Sequence, residues 1–152
     1  MKSDFCLANC FKLFDRNNVG NITLHDFKDT IFNLNIISSG EIIKKVFKKF
    51  DYDKDGKLIY LEFCNMISPK KLEYSNLLRN RKRLEDNEQI SIETELLIVK
   101  LFKTLVDNES QIESFKANLI GKINYLELFD EIKIVKDKNY ITKEDVIILY
   151  NN

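Results

Sequence analysis

Between Asp51 and Glu62 the chain runs Asp51-Tyr52-Asp53-Lys54-Asp55-Gly56-Lys57-Leu58-Ile59-Tyr60-Leu61-Glu62, and this stretch constrains the fold more than any other. Carboxylates at alternate positions 51, 53 and 55 can converge on one centre. Gly56 accepts the positive φ that bends a loop around that centre. Lys57 would turn its backbone carbonyl inward with its ammonium in solvent. Glu62 opens a following helix and is long enough to reach back with both oxygens. Calcium, a hard cation, takes about six to eight oxygens at roughly 2.3–2.6 Å, and this donor set matches that demand. Asp51, Asp53, Asp55, Lys57 and Glu62 are therefore read as ligands of one Ca2+. Ile59, at the ninth position, offers no oxygen to a metal-bound water. With four acidic ligands the expected Kd is about 10⁻⁶–10⁻⁵ M. A plain acidic turn would not need this spacing, glycine, terminal glutamate and aromatic flanks together.

Phe47 and Phe50 precede the loop and Phe63 follows it. Leu58 stands where two such loops pair through a short β-bridge, with its side chain toward the core. A second loop, Asp15 to Asp26, lies upstream at a constant offset of 36 residues. Gly20 falls on Gly56, Ile22 on Leu58, and Phe14 and Phe27 on Phe50 and Phe63. Its ligand set is poorer, because Val19 replaces an oxygen donor and Asp26 is shorter than glutamate. Loop 15–26 is expected to be empty and to serve as the structural partner of loop 51–62, with weak calcium or magnesium binding as the alternative.

Helical periodicity accounts for the rest of the first 67 residues. Phe5, Leu7, Phe11 and Phe14 suit one buried helix face, and Phe27, Ile31 and Leu34 a second. Ser38, Ser39 and Gly40 mark a turn. Ile42, Ile43, Val46, Phe47 and Phe50 then oppose Lys44, Lys45, Lys48 and Lys49 across one helix. Ser68-Pro69 is the clearest boundary, with proline expected at the first position of a new helix and serine as its cap. Residues 68–90 read as a basic helical linker carrying Lys70, Lys71, Arg79, Arg81, Lys82 and Arg83, most simply its solvated face. Residues 91–152 read as a helical lobe. Ser91 caps a helix with Leu96, Leu97, Val99, Leu101, Phe102 and Leu105, a stripe expected in the core, with a target-binding face as the alternative. Residues 121–127 echo 56–62, and 139–145 echo 20–26. Lys116, Asn118 and Ile120 spoil the first as a metal site, and Ile134, Lys136 and Lys138 the second. The lobe therefore holds one or two vestigial repeats, with the register open.

These residues resemble the EF-hand superfamily, in the neighbourhood of calmodulin, troponin C and myosin-type light chains. The resemblance covers residues 4–67 closely and the remainder in outline. It implies an all-α fold, with an EF-hand pair at the N-terminus and a helical C-terminal lobe of degenerate EF-hand-like elements. The order of elements is similar to EF-hand proteins of ciliated protists, and the Asn-, Lys- and Ile-rich composition looks like that of a protist with an AT-rich genome. The family implies calcium-dependent or constitutive docking onto a partner helix or onto a cytoskeletal, motor or axonemal assembly. Only Met1 and Met66 are present, so the Met-rich groove of promiscuous binders is missing and a dedicated partner fits better.

Composition narrows the classes. Net charge is zero, so no global field draws the chain to nucleic acid or to anionic membrane. No apolar run reaches the roughly 20 residues of a membrane span or forms a signal peptide, and Lys2 stands where myristoylation needs glycine. Three cysteines make an odd count, and a bridge between Cys6 and Cys10 on one helix would anchor nothing. Reduced thiols and a cytoplasmic setting, cytoskeletal or ciliary within it, are expected. His25 is the sole histidine, so a catalytic or zinc constellation has little to use and no enzyme is expected. A calcium-dependent regulator and a constitutive light-chain-like subunit remain. The regulator should change its exposed apolar surface on calcium addition; the light chain should stay with its partner in chelator.

Overall fold

The starts of the first three helices are set by side chains that accept otherwise unpaired amide hydrogens. Cys6 Sγ accepts from Asn9 N at 3.3 Å, Thr23 Oγ1 from Asp26 N at 3.2 Å, and Ser39 Oγ from Ile42 N at 3.3 Å. The computed structural model describes residues 4–82, 90–119 and 140. In order, its elements are α1 (Leu7–Phe14), β1 (Asn21–Thr23), α2 (Leu24–Asn33), α3 (Gly40–Phe50), β2 (Lys57–Ile59), α4 (Tyr60–Ile67), α5 (Leu72–Arg79) and α6 (Ile92–Leu119). The fold is mostly helical, as the sequence implies. The chain divides into two compact units, Met1–Gln111 and Ile112–Asn152.

In the first unit, two helix–loop–helix hands (α1 with α2, α3 with α4) are joined back to back. β1 and β2 pair antiparallel in the register Asn21↔Ile59, Ile22↔Leu58 and Thr23↔Lys57. Ile22 and Leu58 are both fully buried, so the bridge turns its central pair into the core. Five phenylalanines dominate that core: Phe14, Phe27, Phe47, Phe63 and Phe102. Phe14 stacks on Phe27 at 5.4 Å between ring centroids, and Phe27 meets Phe47 edge-on at 5.7 Å. Such offset and edge contacts add about 0.5–1.5 kcal/mol each beyond the burial of the rings. α6 belongs to the same core, with Ile98, Phe102 and Val106 buried. The expected apolar stripe is thus divided, because Leu96 and Leu97 remain exposed.

The helix after Ser68-Pro69 starts later than proline chemistry suggests. Ser68 closes α4, its amide donating to Cys64 O at 2.8 Å, while its buried hydroxyl meets no partner and so caps nothing. Ser68 is extended, as the residue before a proline prefers, and α5 begins at Leu72 behind Lys71. Ser91 does cap α6, accepting from Thr94 N at 3.3 Å. Cys6, Cys10 and Cys64 are free and buried. Burial pushes the Cys10 and Cys64 thiols up, which keeps them protonated.

In the second unit, Lys116 pairs with Glu113 at 2.9 Å on the last turns of α6. Apart from Tyr140, the two vestigial repeats read at 121–127 and 139–145 lie outside the described residues, as does 83–89 of the linker. Among the described residues, no helix is long and apolar enough to cross a membrane.

Candidate metal centre

Both loops bend the same way because the same two positions take left-handed backbone. Gly20 and Gly56 sit at φ 80° and 82°, and Asn18 and Lys54 at φ 50° and 60°. A Cβ added at either glycine would meet nothing within 4 Å, so conformation rather than space demands glycine there. Lys54 is the exceptional residue, since left-handed backbone costs a side-chain-bearing residue about 1–2 kcal/mol. That local strain is retained inside the acidic loop.

Asp51, Asp53 and Asp55 each bring one carboxylate oxygen to a cluster whose atoms lie within 4.8 Å of one another. Asp51 is buried at the end of α3, whereas Asp53 and Asp55 are exposed. Backbone amides shape the loop around them. Gly56 N donates to Asp51 Oδ2 at 3.1 Å, Asp55 N to Asp53 Oδ1 at 3.2 Å, and Lys57 N to Asp55 Oδ1 at 2.8 Å. Asp51 Oδ1 is buried and accepts from nothing. A buried carboxylate oxygen left unpaired is costly, and three carboxylates facing one another repel. A hard cation would answer both demands, so the residues fit calcium.

Glu62 is buried in the first turn of α4. Its Oε1 accepts from Tyr52 N at 2.8 Å and its Oε2 from Ile59 N at 3.1 Å. The side chain therefore reaches back to the amide next to Asp51, tying the loop's exit to its entrance. Lys57 lies in β2 with its side chain exposed. No residue pattern signals Tyr52 N as a partner of Glu62, because that contact is made by backbone.

Loop 15–26 satisfies itself. Asp15 Oδ1 accepts from Val19 N at 2.9 Å and Oδ2 from Gly20 N at 2.8 Å, leaving neither oxygen unpaired. Asp26 Oδ2 accepts from Thr23 Oγ1 at 2.6 Å and from Thr23 N at 2.9 Å, forming a closed capping box. The Thr23 hydroxyl is the main reason that the Asp26 carboxyl is held below its ordinary pKa.

Comparison with known proteins agrees with this geometry. Residues 6–68 match the EF-hand domain pair. Lysophosphatidylcholine acyltransferase 2 of Mus musculus is 40% identical over 65 residues, which is 40% of this chain and 11% of that protein. Calcium-dependent protein kinase 32 of Arabidopsis thaliana is 31% identical over 67 residues, covering 44% of this chain and 12% of the kinase. Calmodulin-like protein 3 of the same plant is 30% identical over 80 residues, 53% of this chain and 48% of that one. The chain thus spans about a tenth of the two enzymes and about half of the calmodulin-like protein. Residues 6–68 are thus an EF-hand pair, a calcium-binding domain.

Proposed function

We propose that this chain is a calcium-binding regulatory protein that holds one ion in loop 51–62 and docks on a dedicated protein partner. The carboxylates of Asp51, Asp53, Asp55 and Glu62 and the carbonyl of Lys57 would hold the ion. Bound calcium supplies positive charge that neutralises the converged carboxylates; the chain's own residues supply the shape. Asp51 Oδ1, buried and unpaired beside two further carboxylates, carries the reading. Loop 15–26 stays empty, because Val19 offers no side-chain oxygen and the short Asp26 is closed on Thr23. The relatives' names support regulation by calcium, in a calcium-dependent kinase and a calmodulin-like protein. The chain itself is read as non-enzymatic: its sole histidine, His25, is exposed beside Asp29 at 3.4 Å.

At about 1 mM calcium and a Kd of about 10⁻⁶–10⁻⁵ M, mass action stabilises the fold by roughly 3–4 kcal/mol. Thermal melting in calcium and in chelator reads this directly. An unchanged transition sinks the assignment.

A light-chain-like subunit, bound permanently in a cytoskeletal or axonemal complex, is the second reading. It is favoured by the self-closed loop 15–26, which leaves the pair without a cooperative two-ion switch. Capture of the partner in calcium but not in chelator supports regulation; equal capture in both supports the light chain.

A further inference from the structure

α6 carries Ile98, Phe102 and Val106 at i, i+4 and i+8, each no more than 1% exposed. The Phe102 ring lies 4.7 Å from Phe14, 6.1 Å from Phe63 and 6.2 Å from Phe27. All three neighbours border a loop: Phe14 precedes Asp15, Phe27 follows Asp26, and Phe63 follows Glu62. Anchors at this spacing are how an amphipathic helix fills a hydrophobic groove. Here the helix comes from the same chain. Polar contacts fasten it at both ends of the stripe. Thr94 Oγ1 donates to Asp4 Oδ1 at 2.6 Å and Ser91 N to Asp4 Oδ2 at 2.9 Å. Lys49, two residues before Asp51, pairs with Glu109 at 3.2 Å.

We infer that α6 is the resident helix of the EF-pair groove, and that its seating and calcium binding in loop 51–62 reinforce each other. The inference rests on the assignment of that loop as the calcium site. With α6 seated, the three carboxylates have already converged and Asp51 Oδ1 is free to accept an ion. Phe63 stacks on Phe102 with the rings 30° apart, which fixes the start of α4 and with it Glu62. A shape competent for the ion and a seated helix therefore belong to one state, and each stabilises the other by the same factor. It follows that calcium does not open this groove to a foreign helix; regulation then acts through a partner docked elsewhere on the surface and not through the newly exposed apolar surface expected of an opening sensor.

Calcium titration calorimetry on the full chain tests the coupling, with wild type read first. Phe102→Ala removes the central anchor. The double variant Thr94→Val/Glu109→Gln weakens both fastenings and leaves the phenylalanine core whole, so it carries the test if Phe102→Ala does not fold. Each variant's folding is checked by circular dichroism. The expected Kd rises by about tenfold for Phe102→Ala and about fivefold for the double variant, within the usual range of such couplings. A fluorescent hydrophobic dye should bind wild type no more strongly in calcium than in chelator. Unchanged affinity in the folded variants, or dye binding by wild type that grows with calcium, overturns the inference. A wild-type chain that takes up no calcium overturns the loop assignment itself, and the wild-type titration alone reveals it.

Discussion

Loop 15–26 and loop 51–62 share a backbone and close it by different means. Both place left-handed residues at the same two positions and donate their middle residues to one β-bridge. In the first, Asp15 spends both oxygens on the amides of Val19 and Gly20, and Asp26 turns to Thr23. In the second, Asp51 uses one oxygen and keeps the other buried and unpaired, while Glu62 spans from Ile59 back to Tyr52. A loop can thus be held shut by its own amides or be left with a charge deficit for an ion to fill. The length of the last side chain decides much of this, since Asp26 stops at Thr23 and Glu62 reaches the loop's entrance.

Weakening Glu62 should separate the two loops most. Glu62→Gln should lower calcium affinity by about 100-fold, roughly 2.7 kcal/mol, and shrink the stabilisation by about 1 mM calcium to roughly 0.4–1.4 kcal/mol. Asp15→Asn should leave calcium affinity within about twofold by the same titration. Truncation in calcium-free buffer reverses the ranking. Asp15→Ala strands two amides and should cost about 1–3 kcal/mol in urea unfolding. Asp51→Ala strands one amide and removes an unpaired buried oxygen, so it should cost less. A result in which both truncations cost the same would remove the distinction drawn between the loops.

Gly20→Ala and Gly56→Ala should each destabilise by about 1–2 kcal/mol through backbone strain alone, measured in chelator. The loops should then part company on calcium addition, because only the Gly56 variant also binds the ion more weakly. Repairing the first loop sharpens the contrast from the other side. Val19→Asp combined with Asp26→Glu should raise the calorimetric stoichiometry from one calcium to two. The second site should be weak, with a Kd of about 10⁻⁴–10⁻³ M, because binding must draw Asp15 away from its amides.

The smallest effect concerns acid. The folded-state pKa of Asp26 is lowered, first by the Thr23 hydroxyl, so its contribution to stability is present above the unfolded value of about 4. That contribution is lost as pH falls through the lower folded value. Thr23→Val should cost about 1 kcal/mol near neutrality through the lost cap. It should also flatten the acid limb of stability against pH, as read by urea midpoints at successive pH values.

Much of the pair was legible because its determinants are local. The offset that puts Gly20 on Gly56 also puts Ile22 on Leu58, and the bridge forms in that register. Asp51, Asp53 and Asp55 were found by alternation, and they do converge. α5 starts at Leu72, later than the residue types suggest, because Ser68 and Pro69 have the chemistry of a cap and a first turn. Their backbone instead ends α4, and the Ser68 hydroxyl faces inward. The stripe on α6 was visible in outline. Its periodicity could not tell buried Ile98 and Phe102 from exposed Leu96 and Leu97.

By itself, then, the sequence determined the two loops, their mutual register and the likeness of their bends, since short-range sterics and side-chain reach set all three. Tertiary structure alone decided which helix fills the groove and which carboxylate oxygen is left without a donor. Phe102 meets Phe14 across 88 residues of chain, and Asp51 Oδ1 is stranded by the packing around it. No local pattern encodes either fact, because each depends on segments that become neighbours only when the chain is folded.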